Sequence, residues 1–133
     1  MFKLEKRSEE RLVGVNPALV AVVRRAIELS TVDFTVLEGK RTLERQQELF
    51  DQGRTKPGKI VTWTMKSKHL DGDAVDLVPF PVDWNDTKKF DAIAKAMFAA
   101  ASELGVKLRW GADWDGDGKP REKGEYDSPH FEI

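Results

Sequence analysis

The chain's only two histidines, His69 and His130, each have carboxylates at short, fixed spacings. His69 lies in a stretch that ends at Asp76, and His130 closes the segment 127–130, which begins with Asp127. Two histidines and one carboxylate form the donor set of many catalytic zinc sites, in which a fourth position stays open for water. A fold that uses both histidines in one site has to bring the middle of the chain against its end.

We predict from this pattern that His69, Asp76 and His130 hold zinc. Asp127, three residues before the last ligand, can accept the proton of the attacking water and pass it to a leaving amine. The spacing alone also agrees with a simpler interpretation, because a single histidine is usually a surface or hydrogen-bonded residue. Both interpretations stay open on residue types alone.

The residues around His69 resemble a known family motif. Ser67, His69, Gly72, Ala74 and Asp76 reproduce the S-x-H-x-x-G-x-A-x-D pattern of the zinc D-Ala-D-Ala and L-Ala-D-Glu peptidases. Members of that family cleave the stem peptides of peptidoglycan. The resemblance implies that the first two ligands of the zinc site are in this stretch.

The closing segment and two further segments extend the resemblance over nearly the whole chain. Asp127-x-x-His130 is similar to the closing motif of the phage endolysin branch, where the D,D-dipeptidase branch carries glutamate. The segments 39–42 (GKRT) and 110–114 (WGADW) also match. In the family, the arginine that matches Arg41 binds the scissile carbonyl oxygen or a substrate carboxylate. A guanidinium suits this task because it stays charged and donates hydrogen bonds in a planar fork.

The resemblance implies a zinc peptidase that hydrolyses L-Ala-D-Glu bonds in peptidoglycan stem peptides during phage-driven lysis. One alternative is a D-Ala-D-Ala carboxypeptidase or dipeptidase of wall remodelling, against which Asp127 argues because that branch carries glutamate. Another is a non-catalytic zinc- or calcium-binding wall module. Asp127 and Arg41 beside a complete ligand set argue against a module without activity.

Length and composition limit the organisation of the chain. At 133 residues we expect a single zinc peptidase domain over residues 1–133, with no separate wall-binding domain. A chain of this size buries about two-thirds of its unfolded surface without disulfides. Hydrophobic content of 40% and charged content of 34% are typical of a globular protein. The net charge of -1 gives no reason to expect nucleic acid as a partner.

The first residues carry charges without the apolar run of a secretory signal, and no stretch approaches about 18 apolar residues. We therefore expect synthesis in the cytoplasm of the bacterial host and no stable membrane association. The resemblance to endolysins implies that the enzyme waits there, as a monomer, until a holin opens the membrane. It would then act on the cell wall in the periplasm.

The local sequence pattern predicts an α+β chain, and the resemblance implies the hedgehog and D,D-peptidase architecture, with three or four helices on a small, largely antiparallel sheet. Helices are predicted at 8–12, from Asn16 as N-cap, from Thr42 to Gly53, and from Asn85 or Asp86 to Gly105. The longest helix has an apolar stripe that predicts its core face: Phe90, Ile93, Ala94, Met97, Phe98, Ala101 and Leu104.

Alternating or β-branched runs predict strands at 34–38, 74–78, 106–110 and 130–133. In the last of these, His130 and Glu132 share one face, while Phe131 and Ile133 turn inward. Residues 52–68 are rich in Gly, Pro, Lys and Thr and predict a long loop, with a short strand at 60–63. Two interpretations of the loop stay open, a wall of the cleft or a mobile surface loop without a role.

The segment 113–118 (DWDGDG) reproduces the first half of an EF-hand calcium loop, with oxygens at positions one, three and five and glycine at six. Its second half differs, because position twelve is Gly124 and no helix pair flanks the loop. Two interpretations remain open, a metal-free acidic turn or a calcium site. The candidate calcium ligands are Asp113, Asp115, Asp117 and Glu122, with Glu125 as the alternative to Glu122.

Overall fold

The computed structural model describes residues 2–40, 43–52, 54, 68–113, 116, 118, 120–121 and 127–133. These residues form five helices and four strands. In chain order they are α1 (Lys6–Arg11), α2 (Pro17–Leu29), β1 (Phe34–Glu38), α3 (Leu43–Asp51), α4 (Lys68–Asp71), β2 (Ala74–Pro79), α5 (Thr87–Leu104), β3 (Arg109–Trp110) and β4 (His130–Glu132). The predicted helices are present, and α4 is the one that the sequence pattern did not predict. A single helical turn is too short to show a period.

The four strands form one sheet in the order β1-β2-β4-β3, and every neighbouring pair is antiparallel. The predicted α+β class with an antiparallel sheet is therefore confirmed. This order places β2 (residues 74–79) beside β4 (residues 130–132), although the two strands are far apart in the sequence. Asp76 of β2 lies directly opposite His130 of β4 in this pairing.

Strand β1 lies at one end of the sheet order, and α1 covers its free side. Ser8 is buried and its Oγ accepts a hydrogen bond from the Val36 N–H at 2.9 Å. Arg11 donates to the Val36 carbonyl, also at 2.9 Å. These bonds replace the partners that a next strand would supply, so α1 protects the edge from pairing with another chain. The β1–β2 register shifts between Val36 and Glu38, just before the strand ends.

The two longer helices, α2 and α5, begin at residues predicted from local signals, and α5 also ends at the predicted residue. Asn16 accepts from the Ala18 N–H at 3.0 Å, and Pro17 occupies the first position of α2. Asp86 caps α5, and Gly105 ends it with a φ of 67°. Both helices contribute to the core, together with the inward residues of the sheet. The buried residues of α2 are Leu19, Val22, Val23, Ala26 and Ile27.

The core face of α5 differs from the predicted stripe. Phe98 and Leu104 are 41% and 46% exposed, whereas Ala96 and Ala100 are buried. Four of the buried residues of α5 are alanines, and α5 packs against α2. Close contact between two helices favours small side chains. The hydrophobic pattern alone could not show this, because it ranks phenylalanine and leucine above alanine.

The strand predicted at 106–110 is also shorter than expected. Only Arg109 and Trp110 pair with β4. The Val106 N–H instead donates to the Ala101 carbonyl at 2.9 Å, which completes the C-terminal end of α5. The predicted cap at Thr42, the helix end at Gly53, the short strand at 60–63 and most of the loop predicted as a cleft wall lie outside the described residues. No helix in the described ranges is long and apolar enough to cross a membrane.

Candidate metal centre

The side chains of His69, Asp76 and His130 converge on one point. One nitrogen or oxygen atom from each lies within 4.8 Å of the other two. Asp76 Oδ1 is 3.3 Å from His69 Nε2 and 3.3 Å from His130 Nδ1. The two imidazole rings meet edge to face with centroids 5.1 Å apart, and both are buried. The structure thus brings together the three residues that the sequence singled out.

Three local features of the fold position these three side chains. The antiparallel pairing of β2 with β4 sets Asp76 opposite His130. His69 lies on α4, one turn before β2 begins. Gly72 ends α4 with a φ of 78°, and a Cβ at this position would lie 2.6 Å from the Gly14 carbonyl oxygen. Both the backbone angle and the close approach require glycine, which explains its place in the motif.

The second nitrogen of each imidazole has a hydrogen-bond acceptor, which fixes the tautomer. His69 Nδ1 lies 2.7 Å from the Gly39 carbonyl oxygen, so this nitrogen donates and Nε2 keeps its lone pair. His130 Nε2 lies 2.9 Å from Glu132 Oε1, so Nδ1 keeps its lone pair. In its neutral form each histidine therefore turns an unprotonated nitrogen toward Asp76, as a metal ligand must.

Gly39 and Glu132 are the site residues whose roles the sequence analysis missed. A Cβ on Gly39 would lie 2.0 Å from the Arg11 carbonyl oxygen, so only glycine lets this segment pass α1 and reach His69. A main-chain carbonyl leaves no side-chain signal in a sequence. Glu132 did leave one, because alternation along β4 places it on the face of His130.

Mutual interactions set the charge of the group in the absence of metal. Burial alone raises the pKa of Asp76, but hydrogen bonds from His130 and His69 and their charge outweigh it and hold the pKa well below its usual range. Burial lowers the pKa of His130, but the Asp76 carboxylate more than compensates and raises it. A proton and a metal ion therefore compete for His130 Nδ1.

The three donors have the chemistry of a metal site with an open position. Two neutral imidazole nitrogens and a carboxylate that stays ionised are ligands that zinc takes in catalytic sites. The second nitrogen of each imidazole, His69 Nδ1 and His130 Nε2, already has a protein acceptor. The group could therefore hold a metal ion without any change of tautomer.

Asp127 lies near the His69–Asp76–His130 group but is not one of its three converging residues. Its Oδ2 is 4.0 Å from His130 Nδ1, and its side chain is 55% exposed. The turn that carries it is fixed from β3, because Trp110 Nε1 donates to the Ser128 carbonyl at 2.7 Å and the Gly111 N–H donates to the His130 carbonyl at 2.8 Å. A Cβ on Gly111 would lie 2.3 Å from the Asp127 carbonyl oxygen. The carboxylate is thus held at the solvent side of the candidate metal centre.

The remaining predicted site residues are described only in part. Asp113 is half-buried, and its Oδ2 accepts a hydrogen bond from the Gly118 N–H at 3.0 Å. Gly116 and Gly118 have φ values of 68° and 80°, which indicate a tight turn at this end of the acidic loop. The other predicted positions lie outside the described residues: Arg41, Asp115, Asp117, Glu122 and Glu125.

Comparison with known proteins identifies the family. The sequence profile described as phage L-alanyl-D-glutamate peptidase matches residues 1–133. The chain belongs to this family. It is 41% identical to the L-alanyl-D-glutamate peptidase of Escherichia phage T5, over 99% of this chain and 98% of that protein. It is also 32% identical to the peptidoglycan L-alanyl-D-glutamate endopeptidase CwlK of Bacillus subtilis, over 77% of this chain and 61% of that protein.

Solved structures show the same relationship at the level of the fold. The L-Ala D-Glu endopeptidase ChiX of Serratia marcescens matches with a TM-score of 0.78 and 38% identity, over 96% of this chain and 86% of that one. The vancomycin resistance D,D-dipeptidase VanXYg matches with a TM-score of 0.57 and 20% identity, over 90% of this chain and 50% of that one. The second likeness confirms that the L-alanyl-D-glutamate peptidase family shares its fold with D,D-peptidases, as the motif implied.

Proposed function

We propose that this protein is a zinc-dependent endolysin that hydrolyses the L-Ala-D-Glu bond of peptidoglycan stem peptides. The observation that carries the proposal is the convergence of His69, Asp76 and His130, with Asp127 beside them. Membership of the phage L-alanyl-D-glutamate peptidase family supports the choice of bond and the lytic role. Relatives that share a third or more of their residues with this chain carry that activity in their names, whereas the D,D-dipeptidase is more distant.

The proposed roles follow from the chemistry of each side chain. His69, Asp76 and His130 would hold zinc, which when bound polarises a carbonyl and lowers the pKa of water. The exposed carboxylate of Asp127 would take a proton from the attacking water and deliver it to the amine of the leaving D-Glu. Arg41 would donate to the oxygen of the scissile carbonyl, a role that rests on the family motif.

The proposed setting is phage-driven lysis of the host. The protein would remain in the host cytoplasm as a monomer, without stable membrane association, until a holin opens the membrane. It would then reach the peptidoglycan as a single catalytic domain. The family match and the relative from phage T5 support this setting.

A digest of purified muropeptides tests the proposed bond directly. The substrate should carry a full pentapeptide stem, so that both the L-Ala-D-Glu and the terminal D-Ala-D-Ala bonds are available. We expect mass spectrometry to show a released peptide with a free D-Glu amine and a glycan fragment that ends in L-Ala. The matched control is the same preparation after zinc removal.

Two other outcomes of the digest would contradict the proposal. Release of a single D-Ala residue would assign the enzyme to the D-Ala-D-Ala carboxypeptidases. Binding of peptidoglycan without any new terminus, in a preparation that contains zinc, would indicate a non-catalytic wall-binding module.

We also propose that the acidic loop binds calcium, with Asp113, Asp115, Asp117 and Glu122 as ligands. Carboxylates this close in sequence repel one another unless a cation lies between them. Two described features support the proposal: the Gly118 N–H donates to Asp113 Oδ2, and Gly116 and Gly118 have positive φ values. The loop lies between β3 and the turn that carries Asp127, so calcium would also influence the geometry of the zinc site.

Calcium is expected to raise the melting temperature of the zinc-loaded protein. At a calcium concentration about 100 times Kd, the free energy of unfolding should increase by about 2.7 kcal/mol. Asp115→Ala should lose most of this increase, whereas Asp71→Ala, which removes an exposed carboxylate of α4, should keep it. Melting curves with calcium, with magnesium and without either provide the measurement. An unchanged melting temperature for the unmutated protein would mean that the loop is an acidic turn without calcium.

A further inference from the structure

Glu132 is a buried carboxylate that the proposed reaction does not use. Its side chain is only 9% exposed, although burying an ionised carboxylate is costly unless other groups compensate its charge. Its Oε1 faces His130 Nε2 at 2.9 Å. Its Oε2 faces two cations, with Arg109 NH1 at 3.6 Å and Lys68 Nζ at 4.0 Å. One oxygen is thus directed at a candidate zinc ligand and the other at positive charge.

The two cations that face Glu132 come from different elements, α4 and β3. Lys68 immediately precedes His69 on α4, and its Nζ also donates to the Ile133 main-chain oxygen at 3.0 Å. Arg109 is the residue opposite Glu132 in the β3–β4 pairing. The carboxylate therefore lies between α4 and β3. Rotation of its side chain away from His130 would also break its contacts with Lys68 and Arg109.

The two histidines differ in the group that orients them. His69 donates to a neutral main-chain carbonyl, that of Gly39, whereas His130 donates to a carboxylate. A carboxylate only accepts hydrogen bonds, so it selects the tautomer that leaves Nδ1 free. Its negative charge also makes the imidazole a stronger electron donor to a metal than a carbonyl partner does.

We propose that Glu132 is a positioning residue for the metal centre. It fixes His130 with Nε2 protonated and Nδ1 directed at the metal, and it strengthens zinc binding through the His130 ring. Lys68 and Arg109 keep the Glu132 carboxylate oriented toward His130. This inference rests on the proposed zinc site, and the experiments below separate the two.

Substitution of Glu132 should weaken zinc binding, and the loss should be larger when the hydrogen-bond acceptor is removed together with the charge. Glu132→Gln keeps the volume and an acceptor oxygen but loses the charge, so we expect a loss of about 10-fold in zinc affinity. Glu132→Ala also loses the acceptor, and the loss should approach about 100-fold. Competition with a chromophoric chelator measures both values. The matched control is Glu103→Gln, which removes a carboxylate that pairs with Arg25 on the surface and should leave zinc affinity unchanged.

Thermal unfolding of the zinc-free proteins distinguishes positioning from a merely structural role. If Glu132 only balances Lys68 and Arg109, Glu132→Gln should lower the melting temperature of the zinc-free protein and leave zinc affinity unchanged. That result would overturn the inference while the zinc site itself stands. A wild-type protein that binds no zinc at all would overturn the proposed function together with the inference.

A measurement on the unmutated protein does not depend on how the variants fold. The chain has only two histidines, so a long-range ¹H–¹⁵N spectrum of the zinc-loaded protein contains two imidazole patterns. We expect His130 to carry its proton on Nε2 and His69 to carry its proton on Nδ1. A His130 pattern with the proton on Nδ1 would contradict the inference.

Discussion

Replacing His130 with alanine is expected to remove zinc from the protein and to lower the rate of peptide-bond hydrolysis by on the order of 10³-fold or more. His130 supplies one of three ligand atoms, and its ring is the shared partner of two carboxylates, Asp76 and Glu132. The variant therefore loses a metal donor and also removes the ring that contacts both the Asp76 and the Glu132 carboxylates. Elemental analysis of the purified protein and the muropeptide digest measure the two effects.

The matched control for this variant is the unmutated protein after treatment with a strong chelator. His130→Ala should resemble that zinc-free protein in its activity, and His69→Ala should behave in the same way. Zinc should restore the activity of the chelated protein but not that of either variant. Full hydrolysis by a preparation shown to contain no zinc would contradict the assignment of the metal centre.

Replacing Asp127 with asparagine is expected to separate proton transfer from metal binding. The variant should retain nearly one zinc per chain while the rate falls by on the order of 10²-fold or more. Its side chain is 55% exposed and its Oδ2 is 4.0 Å from His130 Nδ1, so it is placed to exchange protons with water. Asparagine has almost the same size and keeps the main-chain bond to Gly111, but its amide cannot accept the proton.

Asp71→Asn provides a matched control for Asp127→Asn. Asp71 is an exposed carboxylate on α4, two residues after His69. The same change of charge at this position should leave both the zinc content and the rate close to those of the unmutated protein. If Asp127→Asn instead loses its zinc, Asp127 is a zinc ligand, and its proposed role in proton transfer is wrong.

The sequence predicted the parts of the fold that depend on local chemistry. The start of α2 at Asn16 and Pro17 and the end of α5 at Gly105 follow from capping and backbone preferences, which act within one helical turn. The face of α5 that is buried was predicted less well. Phe98 is hydrophobic but exposed, whereas Ala96 and Ala100 are buried, and the hydrophobic pattern of the helix did not indicate this.

In the candidate metal centre, too, some features were predictable from the sequence and others depended on the tertiary structure. The sequence by itself determined which side chains could be ligands, because imidazole and carboxylate are the donors zinc accepts and their spacing matches a family motif. The role of Arg41 remains a prediction from that motif. Only the tertiary structure showed that β2 pairs with β4, which sets Asp76 and His130 side by side.

The tertiary structure also decided which nitrogen of each histidine faces the centre. That choice depends on the acceptor at the other nitrogen, the Gly39 carbonyl for His69 and the Glu132 carboxylate for His130. The first acceptor is a main-chain atom that any residue possesses, brought into place because only glycine fits against α1. The second is fixed by cations from α4 and β3. Residue types determine which atoms can bind a metal, whereas their orientation depends on contacts between segments far apart in the chain.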